Sequence, residues 1–382
     1  MNRKHVFFWN LLRPIVSLLL RIKFGYRCEM AKDLPENYLV LANHATDWDP
    51  LFVGAAFKRQ MYFVASEHIA RWKFVFKLID FLLAPIMRYK GTVAASTVVD
   101  TLRKIKAGNN VCIFAEGART WDGVTAQFLP STGKLVKSAK CGLVTYRLIG
   151  AYFVSPNWSE KSLRRGPIRG EVANIYTKEQ IAGMSVQEIN EAIARDLYVD
   201  AYADQLRDPK PYKTRHLARG FENLLFICPD CGAVDTFSAE KDTAVCSACG
   251  HSIRYTEYGM LEGTAVSTVK ELFAWQKQEV GKAAEKGAVY TSPNGTLLTI
   301  DNHVESEVSS GKVSLSDTAL TCGDTVIPLD EISDLTMHGR HAIVFTAGRK
   351  YYELLPERPS NTLKYQLLFE AYAARVKEAA PV

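Results

Sequence analysis

Apolar positions follow one rhythm through the first half of the chain and another after Gly287. In the first half, short unbroken apolar runs alternate with helical stretches. Tyr38-Leu39-Val40-Leu41-Ala42 reads as a buried strand ending at Asn43-His44, and a helix follows Pro50. Met61-Tyr62-Phe63-Val64-Ala65 reads as a second strand. A helix from Ala94 to Ala107 is closed by Gly108-Asn109-Asn110, residues suited to a C-cap, and the buried strand Val111-Cys112-Ile113-Phe114 comes next. A helix around Lys134–Lys140 precedes the strand Leu143–Ile149. This alternation predicts an α/β domain, a mixed sheet flanked by helices. Helical sequence from Ser185 is broken by Asp208-Pro209-Lys210-Pro211-Tyr212, a domain edge, and Val266 to Lys286 reads as a connecting helix. Beyond it the pattern becomes short strands between turn residues: Thr296–Ile300, Lys312–Leu315, Thr325–Leu329, Ala342–Thr346 and Lys350–Leu354. A closing helix from Thr362 to Lys377 suggests a small barrel or sandwich capped by a helix.

Two segments are more apolar than the rest. From Val6 to Ile22 the run is interrupted by Asn10, Arg13 and Arg21. A spanning helix wants about 20 mostly uncharged apolar residues, and no such window is expected here. The expectation is an amphipathic helix in a lipid interface, with Phe7, Phe8 and Trp9 inserted and Arg13, Arg21 and Lys23 at the headgroups. The alternative is a core helix of a soluble domain. No small-residue cleavage site follows, so a cleavable signal is not expected. The second segment, Trp72 to Met87, carries Lys73, Lys77 and Asp80, which argue against a span; it reads as core or as a hydrophobic platform.

At 382 residues, 47% hydrophobic and 23% charged, the chain can hold one large domain and one or two small ones, which argues against disorder. The net charge of +6 conceals an asymmetry. Residues 1–170 hold 26 Lys and Arg against 11 Asp and Glu, or +15, while the remainder holds 21 against 30, or −9. The first half therefore suits an anionic partner: phospholipid headgroups, a phosphorylated substrate or nucleic acid.

Candidate chemistry begins at His44. A histidine at the end of a strand, with Asp49 five residues on, can be held in one tautomer by the carboxylate and act as a general base. Arg88, in Ile86-Met87-Arg88-Tyr89-Lys90-Gly91, ends an apolar segment where a guanidinium is free to grip phosphate. In Phe114-Ala115-Glu116-Gly117-Ala118-Arg119-Thr120, Gly117 allows the backbone close to a ligand and Arg119 stands beside it; Glu116 is suited to orienting Arg119 or a backbone amide. In this order and at these separations the set resembles the 1-acyl-sn-glycerol-3-phosphate acyltransferase family of glycerolipid enzymes, over roughly residues 1–200. The family's N-H-x-x-x-x-D motif is met by Asn43, His44 and Asp49, and its second-motif arginine by Arg88. The third motif, F-P-E-G-T-R-S, keeps Glu116, Gly117 and Arg119 but has Ala115 for the proline and Ala118 for the threonine. Val144–Gly150 matches the fourth, an apolar strand, in character.

The resemblance implies transfer of a fatty acyl group from acyl-CoA or acyl-ACP to the hydroxyl of lysophosphatidate or a related lysophospholipid, in phospholipid synthesis at the cytoplasmic face of a membrane, by a peripheral or monotopic enzyme without a redox cofactor. His44 would be the base and Asp49 its partner. Arg88, Glu116, Gly117 and Arg119 would form the phosphate site, and the Trp72–Met87 segment would line an acyl-chain tunnel if it is not core. The alternatives are an inactive lipid-binding scaffold, to which the altered third motif points, and a protein-interaction module.

The latter follows from the cysteines. Of eight, Cys228, Cys231, Cys246 and Cys249 form C-x2-C-x14-C-x2-C with a glycine after each pair. Two such knuckles supply four thiolates to one tetrahedral zinc and leave no open coordination position, so a structural Zn²⁺ is expected in a module resembling zinc ribbons. Scattered Cys28, Cys112, Cys141 and Cys322 do not make a disulfide framework, and a reducing setting fits. Asp230, Asp235, Glu240 and Asp242 around the knuckles argue against nucleic acid and leave either a protein partner, at the ribbon or the C-terminal domain, or an internal spacer. The expected organisation is an α/β domain over 1–215, a small zinc ribbon over 220–260, a linker helix over 264–286, and a β-rich domain with a terminal helix over 287–382 that resembles pleckstrin-homology-like domains in its strand pattern.

Overall fold

The structure is a computed structural model, and it describes residues 2–66, 73–88, 95–160, 162–301 and 304–379. The chain divides into two compact units, Met1–Asn157 with Leu163–Thr214, and Trp158–Ser162 with Arg215–Val382. The cysteine module, the connecting helix and the β-rich region thus share the second unit, together with the short Trp158–Ser162 segment.

The first unit runs α1 (Arg3–Phe24), β1 (Arg27–Cys28), β2 (Tyr38–Ala42), α2 (Asp49–Ala56), β3 (Met61–Ser66), α3 (Lys73–Leu83), β4 (Ile86–Arg88), α4 (Ala95–Lys106), β5 (Asn110–Phe114), α5 (Ser131–Ala139), β6 (Gly142–Ile149), α6 (Ala151–Val154), β7 (Arg169–Tyr176), α7 (Lys178–Gly183), α8 (Val186–Leu197) and α9 (Ala201–Arg207). Its mixed sheet has the order β1-β7-β6-β2-β5-β3-β4. β6, β2, β5, β3 and β4 are mutually parallel, and β7 runs antiparallel to β6. All five residues of β2 have no exposed surface, which is why an unbroken apolar run codes for this central strand. On one face Leu39 and Leu41 pack with Val111, Leu143 and the α8 residues Ile189 and Ile193. On the other, the Phe57 ring at the end of α2 contacts Tyr38 and Tyr146. Burying each such side chain contributes about 1.5–3 kcal/mol. The register pairs Ala42 of β2 with Phe114 of β5, so the turns leaving these two strands lie side by side.

Three strands differ from expectation, the first being the two-residue β1. Ile86–Arg88 is a strand, not a continuation of the apolar segment before it, and Arg169–Tyr176 pairs along β6 although its sequence is too polar to read as buried.

α1 also departs from expectation in two ways. It is long and apolar enough, by length and composition, to cross a membrane, because only Arg13 and Arg21 are charged between Val6 and Ile22. And Trp9 and Arg13 turn inward: the Trp9 indole N–H donates to the Phe57 carbonyl at 3.2 Å, and Arg13 Nη1 lies 3.5 Å from the Ala55 carbonyl oxygen. The residues left outward are Phe7, Leu11, Ile15, Leu18 and Ile22, 49% exposed or more, which share one helix face. Leu78 and Phe81 of α3 are exposed as well, and the Phe81 ring touches Phe8. Trp72 lies outside the described residues.

The second unit holds β8 (Phe237–Glu240), β9 (Thr243–Cys246), β10 (Ser252–Tyr255) and β11 (Leu261–Glu262) in one antiparallel sheet, followed by α10 (Val269–Glu285). Then come β12 (Tyr290–Asp301), β13 (Val304–Leu315), β14 (Ala319–Cys322), β15 (Thr325–Pro328), β16 (Ser333–His338), β17 (Ala342–Ala347), β18 (Lys350–Pro356) and α11 (Leu363–Ala379). The seven strands form an antiparallel sheet ordered β15-β14-β13-β12-β18-β17-β16, with α11 packed on β12, β13, β16 and β17. The two layers of this unit are tied by polar contacts. Gln276 of α10 accepts the N–H groups of Phe226 and Ile227 at 2.9 and 3.2 Å, and the Asn361 side chain donates to the Glu222 carbonyl at 2.7 Å.

Candidate active site

His44 lies just past the end of β2, and its ring stacks on Phe114 at the end of β5, with centroids 4.5 Å apart. Its Nδ1 is 2.8 Å from Asp49 Oδ2. Asp49 opens α2 and is fully buried. The same Oδ2 accepts the N–H groups of Ala45 at 2.6 Å and Thr46 at 2.9 Å, while Oδ1 accepts the Thr46 hydroxyl at 2.7 Å. These donors and the helix N-terminus stabilise a carboxylate anion. An ionised carboxylate only accepts, so Nδ1 carries the imidazole proton and Nε2 is left as the basic nitrogen. The His44 side chain is 21% exposed, so a substrate can reach it.

Glu116 holds this turn from the neighbouring strand. Its Oε1 accepts the His44 N–H at 2.6 Å and its Oε2 accepts the Ala126 N–H at 2.6 Å. Of the two tasks open to it from sequence, it performs the second, binding backbone amides. Burial pushes its carboxyl up to about 8, against the pull of these two donors. The Thr120 N–H adds a bond to the His44 carbonyl at 3.1 Å, so the third-motif turn grips the first from both sides of His44.

Arg88, exposed at the end of β4, lies against Gly117: a Cβ there would stand 3.1 Å from Arg88 Nη1. Gly117 has φ +71°, a left-handed conformation natural to glycine. Arg119 is 10% exposed, and its Nη1 is 3.3 Å from Asp47 Oδ2 without hydrogen-bond alignment. Asp47 is 69% exposed, so the pair is solvent-screened and worth at most about 1 kcal/mol. His44, Asp49 and Glu116 are therefore in direct contact, Arg88 and Gly117 form a second contact, and Arg119 is joined to the turn through Asp47. All six come from the carboxyl ends of parallel strands, where open α/β sheets bind ligands. A shallow recess opens beside His44, lined by Glu116, Thr120, Leu148 and Tyr152 among others.

Three contributors escaped the sequence reading. Thr46 had a signal, since a threonine three residues before an aspartate can bond it locally, and its N–H and hydroxyl both donate to the Asp49 carboxylate. Phe114 and Asp47 had none, because their roles arise from strand pairing and a surface contact. Asn43 serves the frame: its amide accepts the Leu148 N–H at 2.7 Å and donates to the Leu148 carbonyl at 3.1 Å, locking the His44 turn to β6.

In the second unit the four predicted cysteines converge, with all four sulfurs within 4.8 Å of one another. Cys228 and Cys249 are 3.7 Å apart and Cys231 and Cys246 3.9 Å. The two knuckles repeat one turn: the Gly232 N–H bonds the Cys228 carbonyl and the Gly250 N–H bonds the Cys246 carbonyl, both at 2.9 Å, with φ +73° and +79° at the glycines. Four thiolates around a zinc at about 2.3 Å span tetrahedral edges of about 3.8 Å, so this set fits a metal ion of that kind.

With this geometry in place, residues 26–149, from the end of α1 to the end of β6, match the family Acyltransferase. This segment is an acyltransferase domain. It carries His44, Asp49, Arg88, Glu116, Gly117 and Arg119. A comparison with curated proteins finds no match. Among solved structures, the chain is similar to the 1-acyl-sn-glycerophosphate acyltransferase of Thermotoga maritima, with 16% identity and a TM-score of 0.44 over 53% of this chain and 80% of that one.

Proposed function

We propose that the acyltransferase domain moves a fatty acyl group from an acyl thioester, coenzyme A or acyl carrier protein, to the free hydroxyl of lysophosphatidate or a related lysophospholipid, in phospholipid synthesis at the cytoplasmic face of a membrane. The observation that carries this reading is the His44–Asp49 pair, fixed by four hydrogen bonds to one buried carboxylate at a solvent-reachable strand end. His44 Nε2 takes the acceptor's hydroxyl proton as that oxygen attacks the thioester carbonyl. The C–O ester bond forms, the C–S bond breaks, and the leaving thiolate collects the proton from the imidazolium. Asp49 stabilises that imidazolium. Such base assistance is worth about 10²–10⁴-fold, and positioning of the two substrates supplies more.

Arg88 and Arg119 hold the acceptor's phosphate, with Gly117 admitting it close to the backbone. Asp47, exposed and loosely paired, yields Arg119 to a dianion. Glu116 keeps the His44 turn in place through its amide. The outward face of α1, with Arg3, Lys4, Arg21 and Lys23 on the same helix, suits a surface of anionic lipids into which its apolar stripe inserts. Cys228, Cys231, Cys246 and Cys249 hold a structural Zn²⁺, whose role is to fold the ribbon.

The test is incubation of the purified protein with radiolabelled acyl thioester and lysophosphatidate. Labelled phosphatidate is expected, with a loss of about 10²–10⁴-fold in His44→Ala. Unchanged turnover in that variant would sink the assigned base, and no turnover with any lysolipid would sink the reaction class.

A further inference from the structure

We infer that α1 is a positioning element of the catalytic pair, acting through Phe24 and Trp48. This rests on the acyl-transfer reading above and gives the helix a second task, on the face opposite its exposed stripe. Its inward residues follow α2 from end to end. At the carboxyl end of α2, Trp9 and Arg13 reach the Phe57 and Ala55 carbonyls, and Gly54 makes room, since a Cβ there would lie 3.2 Å from the Trp9 ring. At the amino end, the fully buried Phe24 meets Trp48 edge-on at 5.2 Å and Phe52 at 5.6 Å, and Lys23 Nζ stands 4.5 Å from the Trp48 ring centre.

Trp48 immediately precedes Asp49. Its N–H donates to the Thr46 hydroxyl oxygen at 3.0 Å, and that hydroxyl donates to Asp49 Oδ1 at 2.7 Å. A continuous path of contacts therefore runs from Phe24 through Trp48 and Thr46 to Asp49 and His44. The His44 ring on Phe114 anchors one end of the turn and Trp48 the other, and Asp49 opens the first turn of α2. A brace on both ends of α2 holds the carboxylate to the tolerance that base catalysis needs, where displacement by about 1 Å can cost about 10²-fold. Phe24 and Trp48 act through Thr46 and Asp49, and are positioning residues.

The experiment compares full-length Phe24→Ala, Trp48→Ala, Trp48→Phe and Ile189→Ala. Ile189, buried under the opposite face of the sheet, controls for lost core packing. Two readouts are taken: kcat and KM with detergent-dispersed lysophosphatidate, and amide exchange at Ala45 and Thr46, whose N–H groups are spent on Asp49. Phe24→Ala and Trp48→Ala are expected to lose about ten- to a hundredfold in kcat at unchanged KM and to exchange faster at both amides. Trp48→Phe should restore most of both, and Ile189→Ala should change neither despite a lower Tm. If Phe24→Ala and Trp48→Ala track Ile189→Ala in both readouts, the brace is overturned. If exchange accelerates as expected while no protein, the wild type included, transfers acyl groups, the brace stands and the acyl-transfer reading falls.

Discussion

The cysteine cluster takes its four sulfurs from two copies of one local turn, whereas the candidate active site collects its groups from the ends of β2, β4 and β5. In the cluster, each C-x-x-C-G stretch builds half the site within five residues, and only one docking event, between the knuckles, completes it. In the active site, His44 and Asp49 are local, but Glu116 reaches the His44 amide across 72 residues of chain. A locally built site depends on its ligand to hold its halves together. A site built on a sheet is held by the sheet and is sensitive to the side chains that set the turns.

That contrast can be broken at several points. The largest effect should follow metal removal. On the proposed zinc-ribbon reading, chelation under reducing conditions forfeits a binding free energy of about 10–16 kcal/mol, and amide exchange across residues 226–253 should rise to the unfolded rate. Equal protection with and without chelator would show that the knuckles need no metal.

Next in size is Arg119→Ala, which on the proposed reading removes a charge-assisted contact to the acceptor phosphate worth about 1.5–3 kcal/mol. KM for lysophosphatidate should rise about ten- to a hundredfold, with Arg119→Lys in between; a fall in kcat at constant KM would instead place Arg119 with the base. Gly117→Ala should be milder. It forces a side chain into φ +71° at a cost of about 1–2 kcal/mol and presses on Arg88, lowering Tm and raising KM together.

A separate effect, read along the pH axis, concerns Glu116. Its folded-state value lies above that of the unfolded chain, so its contribution to stability is fully present below about 4.3 and is lost as pH rises toward about 8. The Tm of the wild type should therefore fall relative to Glu116→Gln across that window and run parallel above it. A constant difference would mean that Glu116 stays ionised throughout.

Much of the frame was legible because it obeys local rules. Strands β2, β3 and β5 announce themselves as apolar runs, and β6 as one interrupted by Thr145 and Arg147, since most of their side chains are buried. β7 did not, because its side chains are mostly half-exposed and its place depends on pairing with β6. In the second unit, β12 and β13 extend to twelve residues each, well beyond their apolar cores, because hairpin hydrogen bonds carry the polar, exposed ends. α1 shows the limit most clearly. Its composition marks an amphipathic helix, but Trp9, the residue that looks most suited to a lipid interface, is buried and bonded to the Phe57 carbonyl.

His44 with Asp49, Gly117 with Arg119, and each cysteine knuckle were marked by residue type and short spacing alone, because each lies within a single turn. Which amides Glu116 binds, that Arg88 rests on Gly117, and that Phe24 backs the Asp49 turn were decided only by the folded chain. Those contacts exist because β2 and β5 pair in parallel with Ala42 opposite Phe114 and because α1 lies along α2. Pairing and helix packing join residues whose separation in sequence carries no periodic signal, so no local pattern could announce them.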